Sequence, residues 1–379
     1  MRLFVTRFGI FLASVISPAL ATATQVAFLP LGPSISEVQG VSADGLAIVG
    51  TLNTSPHEAF VMRVGDQAVG LGTSLSTRGT IGAALSGDGK VAAGTIADPY
   101  PNRSAFSWSA ASGMVRIESA NGVTLDSVGG LSFDGNIVVG RAKFPGLPNW
   151  HAYRWTEATG VMNLGDFPGG NSDSDASDVS ADGAVVVGFS GVQDGYSAFR
   201  WTSESGMVQL PNFPLGGPVT QALAVSPDGG TIVGTGIQQG EQEAVILKGD
   251  GGIIGLGHLP GGKSSRATDV SVGGAVVIGV GLDSERYSAA FRWTERSGMR
   301  SLVSLLNSAG VDMTGWRLVH ASAVSDDGTV IVGYGLNPAG LREGFIVTLP
   351  VNFVPEPDCF LLVAIGMTGI SVSVRRRIS

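Results

Sequence analysis

The sequence predicts an all-β fold, a seven-bladed β-propeller made of four-stranded antiparallel blades. The main observation is a repeated phrase: an apolar run, Ser, one residue, Asp-Gly, a valine-rich run and Gly. It occurs seven times, at 41–50, 85–94, 131–140, 179–188, 225–234, 270–279 and 324–333. A second observation is that 57 Gly and 18 Pro are scattered among the valine-rich runs, which is typical of β proteins with many tight turns. One supersecondary unit is therefore copied along the chain.

The spacing of the phrase shows the size of one unit. Successive turn positions are 44, 46, 48, 46, 45 and 54 residues apart, counted between Asp44, Asp88, Asp134, Asp182, Asp228, Gly273 and Asp327. About 45 residues suit four short strands, the content of one propeller blade. The alternative architectures are a two-layer β solenoid and two separate sandwiches.

Four strands can be assigned within one unit. Two β-branched runs, 176–181 and 184–189, flank Asp182-Gly183, which predicts a type I′ hairpin with positive φ at both central residues. The run 198–202, Ala-Phe-Arg-Trp-Thr, alternates as a half-buried strand should. A turn at Ser205-Gly206 and a short strand at 207–210 complete the unit.

The third-strand phrase places a tryptophan at blade period, which predicts packing between neighbouring blades; these residues are Trp108, Trp155, Trp201 and Trp293. Aromatic faces also suit pyranose rings, so a sugar-stacking surface is the alternative reading. Trp150 and Trp316 lie outside the phrase and are therefore the better candidates for an exposed ligand contact.

The two ends of the repeat array predict a closed ring. The seventh unit stops after its third strand, at 345–349, and the missing fourth strand resembles 25–31 at the other end of the chain. If 25–31 completes the last blade, no free sheet edge remains between the first unit and the last. The long last interval contains an insertion at 302–316, whose leucines predict a helical turn.

Both ends of the chain have the features of targeting segments, and between them we predict a propeller domain at 24–350. Residues 1–23 have the positive start, short apolar stretch and small-residue cleavage site of a secretory signal peptide. Residues 351–379 contain Pro355, Glu356 and Pro357, an uncharged run at 359–374 that predicts a membrane helix, and a basic cluster of Arg375, Arg376 and Arg377.

This tripartite tail resembles the PEP-CTERM sorting signal of Gram-negative bacteria. The resemblance implies a transient inner-membrane anchor, cleavage near the Pro-Glu-Pro box by an exosortase-type membrane protease, and release to the cell surface or extracellular matrix. An uncleaved anchor is the alternative. The repeats also resemble the HAF family of extracellular repeats, through His151-Ala152-Tyr153 and the recurring Ala-Phe-Arg-Trp. This second resemblance supports the location and the fold rather than an activity.

Charge and composition limit the function. The formal net charge is −8 and no Lys/Arg cluster interrupts the body, which argues against nucleic acid binding. Cys359 is the only cysteine, so no intramolecular disulfide can form. Asp173, Asp175 and Asp178 have the short spacing of calcium-loop ligands but lack the ending of an EF-hand. No calcium or other cofactor is therefore assigned, and calcium remains the alternative.

The sequence contains no recognisable catalytic constellation, and neither catalytic nor cofactor-binding residues are assigned. Its four histidines fall in separate repeats. We therefore expect a non-enzymatic exported module that contacts polysaccharide or another envelope protein. A propeller-type polysaccharide lyase or glycosidase is the alternative, and it requires a carboxylate pair or an acid/base cluster across the central face. A purely structural exported protein is the third hypothesis.

Overall fold

The computed structural model describes residues 25–353 except 77, 100–101, 170–172, 214–216 and 250. Within these residues, 28 strands form seven four-stranded antiparallel sheets. The first strands of neighbouring blades contact one another all round, including those of the first and last blades, so they surround a central channel. The predicted all-β, seven-bladed propeller is confirmed.

Each of blades 1 to 6 uses four consecutive strands. Blade 1 consists of β2 (Ile35–Val41), β3 (Ala47–Leu52), β4 (Glu58–Arg63) and β5 (Val69–Gly70). Blade 2 consists of β6 (Thr80–Leu85), β7 (Val91–Ile96), β8 (Ser104–Ser109) and β9 (Gly113–Arg116). Blade 3 consists of β10 (Thr124–Leu131), β11 (Ile137–Lys143), β12 (Trp150–Thr156) and β13 (Gly160–Gly165). Blade 4 consists of β14 (Ser174–Val179), β15 (Val186–Val192), β16 (Gly195–Thr202) and β17 (Gly206–Gln209). Blade 5 consists of β18 (Val219–Val225), β19 (Thr231–Gln238), β20 (Glu241–Lys248) and β21 (Ile253–Gly255). Blade 6 consists of β22 (Ser265–Val270), β23 (Val277–Leu282), β24 (Ser288–Thr294) and β25 (Gly298–Ser301).

Blade 7 is closed by the start of the described chain, as the sequence predicts. Its strands are β26 (Arg317–Val324), β27 (Val330–Leu336), β28 (Arg342–Thr348) and β1 (Ala27–Pro30), which pairs antiparallel with β28. The insertion before this blade forms helix α1 (Leu302–Ser308), whose three leucines are buried against the blade 6 and 7 core.

The turn geometry differs from the predicted type I′ hairpin. In blade 4 the Gly183 N–H donates to the Ser180 carbonyl oxygen at 2.9 Å, and only the glycine has positive φ, at 71°. Ser180 Oγ donates to Asp182 Oδ1 at 2.6 Å and accepts from the Val185 N–H at 3.0 Å. The serine side chain therefore organises a four-residue turn in which aspartate needs no left-handed conformation. In blade 6, where Gly273 replaces the aspartate, the turn is a 3₁₀ helix, Val272–Gly274.

Seven apolar clusters fill the spaces between adjacent blades in the described residues. In blade 4 the fully buried Phe199 ring lies over Gly188, where an added Cβ would approach ring atoms to 2.9 Å. This close approach explains why the repeated phrase ends in glycine. The third-strand tryptophans belong to these clusters, Trp201 and Trp293 as buried members and Trp108 and Trp155 as partly buried ones.

The predicted signal peptide at 1–23, and the Pro-Glu-Pro box, membrane helix and arginine cluster of the tail, lie outside the described residues and stay predictions. Among the residues that the structure does describe, no helix is both long and apolar enough to cross a membrane.

Candidate functional site

The ring has two unlike faces. The turns between first and second strands, and between third and fourth strands, lie on one side, which we call the tight-turn face. The connections from second to third strand and from blade to blade lie on the other side, the loop face. Connections such as 117–123 and 144–149 belong to the loop face and share no common sequence.

A polar pocket of about 490 Å³ opens on the loop face between blades 2 and 3. Two guanidinium groups, Arg103 and Arg116, and two carboxylates, Asp98 and Glu118, are part of its lining. Arg116 Nη2 donates to the Leu75 carbonyl oxygen at 3.0 Å, which holds this guanidinium in place. The volume falls within the range of about 300–1,000 Å³ found for small-molecule sites.

The buried carboxylate of Asp126 connects this pocket to an aromatic cluster. Asp126 Oδ1 accepts from Arg103 Nη1 at 3.1 Å, and Oδ2 accepts from Arg141 Nε at 3.1 Å and Nη2 at 2.5 Å. The Arg141 guanidinium carbon lies 5.3 Å from the centre of the Trp150 ring, and Lys143 Nζ lies 5.8 Å from it. Ion pairs therefore lead from the pocket lining to a partly exposed indole that is flanked by two cations.

Carboxylates of blade 4 border the same cluster. Asp175 Oδ2 lies 3.8 Å from Arg141 Nε, and Tyr196 Oη donates to Asp173 Oδ2 at 3.0 Å. Burial raises the pKa of Asp175 to about 7; the Arg141 charge opposes this shift, and the charges of Asp126 and Asp173 add to it. At neutral pH the Asp175 carboxyl can therefore be either a donor or an acceptor of hydrogen bonds.

Inside the channel, Asp178 and Asp269 occupy the same position in blades 4 and 6. Each follows a β-bulge in the first strand of its blade and lines a cavity of about 120 Å³. Each carboxylate accepts one bond from the next N–H of its own strand and one from the following blade. The second donor is the Val225 N–H at 2.9 Å for Asp178 and the Val324 N–H at 2.8 Å for Asp269. The two side chains therefore join neighbouring blades.

Both channel carboxyls bind protons more tightly than usual. Burial raises the pKa of Asp178 to about 7 and that of Asp269 to about 8, and the charge of Asp178 contributes to the second shift. Asp326 lines the same cavity, and burial together with the Asp327 charge raises its pKa too. The cavity is smaller than the usual range for ligand sites, and both oxygens of each paired carboxylate already accept a backbone hydrogen bond.

The aspartates of the candidate calcium loop have separate partners. Asp173 binds Tyr196, Asp175 lies beside Arg141, and Asp178 binds backbone N–H groups in the channel. Within the described ranges, no group of three or more His, Cys, Asp and Glu side chains could hold a metal ion.

The histidines lie in different parts of the ring. His320 stacks on Tyr334 with ring centres 5.3 Å apart, and burial, aided by Arg266 and Arg342, lowers its pKa to about 4. His151 is 3% exposed, and neither of its ring nitrogens has a hydrogen-bond partner.

The two tryptophans predicted as ligand contacts have different surroundings. Trp150 lies at the loop-face end of β12, beside the Arg141 guanidinium that pairs with Asp126. Trp316 packs edge-to-face on Phe28 of the closing strand, with ring centres 5.0 Å apart, and against the blade 6 and 7 core. Ligand contact stays a prediction for both, and of the two Trp150 is the one linked to the pocket lining, through Arg141, Asp126 and Arg103.

Sequence reasoning missed the charged groups of the pocket and of its link to Trp150, namely Arg103, Arg116, Asp126 and Arg141. They lie in four different strands or connections and share no motif. A weak signal existed: Asp126, Asp178 and Asp269 are charged residues in innermost strands, where the other blades carry small or apolar residues at the position of Asp178.

Fold and pocket together define a closed seven-bladed propeller with a polar cleft on its loop face. No protein-family model matches the sequence, and no curated protein matches it. Among solved structures, an oligogalacturonate lyase in complex with manganese is 14% identical, with a TM-score of 0.59, over 85% of this chain and 93% of that one. The oligogalacturonate lyase of Vibrio parahaemolyticus is 13% identical, with a TM-score of 0.59, over 87% and 95%.

The propeller domain of the Trilobed protease from Pyrococcus furiosus is 11% identical, with a TM-score of 0.52, over 89% of this chain and 98% of that one. TolB from Acinetobacter baumannii is 14% identical, with a TM-score of 0.45; the match covers 82% of this chain and only 65% of the TolB chain. Similarity at these identities shows the fold alone. The Trilobed protease propeller is described as having an open velcro topology, whereas β1 closes blade 7 here.

Proposed function

We propose that this protein is an exported, non-enzymatic module that binds a polysaccharide segment on its loop face. The ligand occupies the pocket between blades 2 and 3 and stacks on Trp150. The observation that carries the proposal is a polar pocket of about 490 Å³ whose Arg103 is joined, through the Asp126 carboxylate, to Arg141, which flanks the Trp150 indole together with Lys143.

The chemistry of this cleft suits sugars. Each sugar hydroxyl both donates and accepts, and the lining offers guanidinium donors beside carboxylate acceptors, so both roles find partners. The Trp150 ring offers an apolar face for a pyranose, and the planar donors of Arg103 and Arg116 also fit a uronate carboxylate.

Location is the second part of the proposal. A secretory signal at 1–23 and the PEP-CTERM-like tail at 351–379 would carry the propeller across the inner membrane and hold it there until an exosortase-type protease releases it. Exopolysaccharide and envelope proteins are the partners present at that surface.

The test is glycan binding by the full-length protein, with neutral and uronate-containing oligosaccharides measured separately. Arg116→Ala should weaken binding about tenfold, because a charged hydrogen-bond donor is lost from the pocket. The control Arg63→Ala changes an exposed arginine at the tight-turn end of β4 and should leave binding unchanged. Equal binding by both variants would contradict the assigned pocket, and no binding to any glycan would favour the purely structural protein.

A lyase or glycosidase is the second candidate, because Asp178, Asp269 and Asp326 line one cavity in the channel and burial raises the pKa of Asp178 to about 7, a value suited to a general base at neutral pH. The likeness to oligogalacturonate lyases supports the fold of this candidate only. Incubation with polygalacturonate and exopolysaccharide discriminates the two: chain cleavage that Asp178→Asn abolishes would favour the enzyme, whereas binding without cleavage favours the module.

A further inference from the structure

His151 is buried at the base of the loop that carries Trp150. This loop joins β11 to β12, and we call residues 143–150 the Trp150 loop. Its two ends are partners in the sheet, Lys143 with Trp150, and the next pair inward is Ala142 with His151. The His151 side chain therefore lies just below the point where the loop leaves blade 3.

The imidazole of His151 has aromatic packing in place of hydrogen bonds. It is 3% exposed, and neither ring nitrogen has a hydrogen-bond partner among the described residues. Its ring packs edge-to-face on Phe144, with ring centres 6.2 Å apart, and the Phe144 carbonyl oxygen accepts the Leu147 N–H at 3.2 Å within the loop. This site suits a neutral imidazole and not an imidazolium, because a charge without acceptors is costly to bury.

Three charged groups influence His151, and they leave the neutral ring favoured. Burial lowers the pKa of His151; the charges of Asp166 and Asp173 oppose this shift, and the charge of Lys143 adds to it. None of the three forms a hydrogen bond with the imidazole. The neutral ring therefore stabilises the closed loop above about pH 6.5, the ordinary pKa of histidine, and this stabilisation is lost as pH falls below that value.

The packing of His151 is connected to the groups assigned to ligand binding. Trp150 precedes His151 directly in β12, and Lys143 Nζ lies 5.8 Å from the centre of the Trp150 ring. Lys143 Nζ also donates to the Pro148 carbonyl oxygen, so it joins both arms of the loop. If the His151 ring leaves the core, the adjacent pair of Lys143 and Trp150 loses its support.

We propose that His151 is an acid-sensitive switch of the Trp150 loop: protonation drives its imidazole out of the core, opens residues 143–150 and releases the bound ligand. The release of ligand rests on the proposed function, whereas the opening of the loop does not depend on it.

Hydrogen–deuterium exchange of the full-length protein in detergent micelles tests the switch without a ligand. Mass spectrometry follows the backbone amides of 142–151 at pH 7 and pH 5, corrected for the pH dependence of intrinsic exchange. In the wild type we expect exchange to rise about tenfold or more, because each pH unit below the ordinary pKa of histidine adds up to a factor of ten. His151→Phe keeps an aromatic ring that cannot be protonated, so its loop should exchange equally at both pH values.

Two control variants separate His151 from other titrating groups. Asp175→Asn removes a carboxyl whose pKa is about 7 and which lies beside Arg141, and His57→Phe removes an exposed histidine. Both should keep the wild-type response to acid. Equal exchange at the two pH values in the wild type overturns the switch, as does a wild-type response in His151→Phe.

An NMR titration of the His151 ring in the wild type gives an independent answer that needs no variant at this position. Loop exchange must rise over the pH range in which this imidazole takes up its proton, and a different range overturns the switch.

Binding of a neutral oligosaccharide at pH 7 and pH 5 tests the consequence for the ligand. Affinity should fall about tenfold at the lower pH in the wild type, as the closed loop becomes scarce, and stay constant in His151→Phe. Constant affinity in the wild type despite an open loop overturns the release of ligand. Absence of binding at both pH values contradicts the proposed function, while the exchange measurement still decides the switch.

Discussion

On the tight-turn face, all seven blades place a serine whose Oγ accepts the N–H five residues further on, at 2.9–3.0 Å. On the loop face, the connections differ in length and sequence, and each charged group there has its own setting, as in the pocket between blades 2 and 3 and the ion pair between Arg342 and Glu37 at the junction of blades 7 and 1. The contrast indicates that folding constraints act on one face and leave the other free for recognition.

Backbone hydrogen bonds strengthen the tight-turn face further. The residue after each turn serine contributes to a ring of contacts from blade to blade, such as Ala43 N–H to Gly87 O at 2.9 Å and Asp326 N–H to Ala43 O at 3.1 Å. Within the described residues, six of the seven junctions have such a bond. The exception follows Pro227, because proline has no N–H to donate.

The largest effect is expected from breaking the repeated phrase itself. Gly188→Ala would place a Cβ against the Asp175 carbonyl oxygen and the Phe199 ring, so unfolding free energy should fall by about 3 kcal/mol or more. Gly230→Ala is the control, because its Cβ would meet nothing closer than 3.5 Å and its φ is not positive. Urea denaturation measures both, and equal losses would contradict the packing explanation of the phrase.

A smaller effect on stability is expected from the two aspartates in the channel that runs between the two faces. The pKa values of Asp178 and Asp269 are raised, to about 7 and about 8, so the protonated forms stabilise the fold. That stability is fully present below about pH 4, the unfolded pKa, and is lost as pH rises through 7 and 8. We expect Tm to fall by about 5 °C between pH 5 and pH 9.

The double variant Asp178→Asn, Asp269→Asn should flatten this dependence. Asp182→Asn is the control, because hydrogen bonds from Ser180 and the Ala184 N–H lower the pKa of that turn carboxyl, so it does not titrate in this window. An unchanged slope in the double variant would mean that other groups, Asp326 among them, carry the pH dependence.

The smallest effect is expected from substituting one aromatic residue on each face, which compares the two faces directly. Trp150→Ala on the loop face should lower glycan affinity about tenfold, because the stacking surface is lost, with little change in Tm. Phe133→Ala removes an aromatic ring that is 44% exposed on the tight-turn face and should leave affinity unchanged. Equal losses, measured by calorimetry, would place the ligand elsewhere.

Much of the fold could be read from the repeats, because Ser, Asp-Gly and the valine runs act through contacts within about ten residues. The predicted type I′ turn was wrong. Hydrogen bonds of the serine side chain form the turn, so the aspartate does not need a positive φ. The site was largely missed: Arg103 lies in a connection of blade 2, Asp126 and Arg141 lie in two different strands of blade 3, and only Trp150 stood out in the sequence. The spacing of residues along the sequence does not show which loops meet in the folded protein.

By itself, the sequence determined seven β units of four strands and the closing role of 25–31, because local hairpin chemistry and an incomplete last unit leave few other arrangements. Only the tertiary structure decided that Asp178 and Asp269 share the channel, that Asp126 joins Arg103 of the pocket to Arg141 beside Trp150, and that the buried Arg292 donates to the carbonyl oxygens of Pro350 and Val351. These contacts join residues from different blades or from the chain end, and ring closure is what brings them within bonding distance.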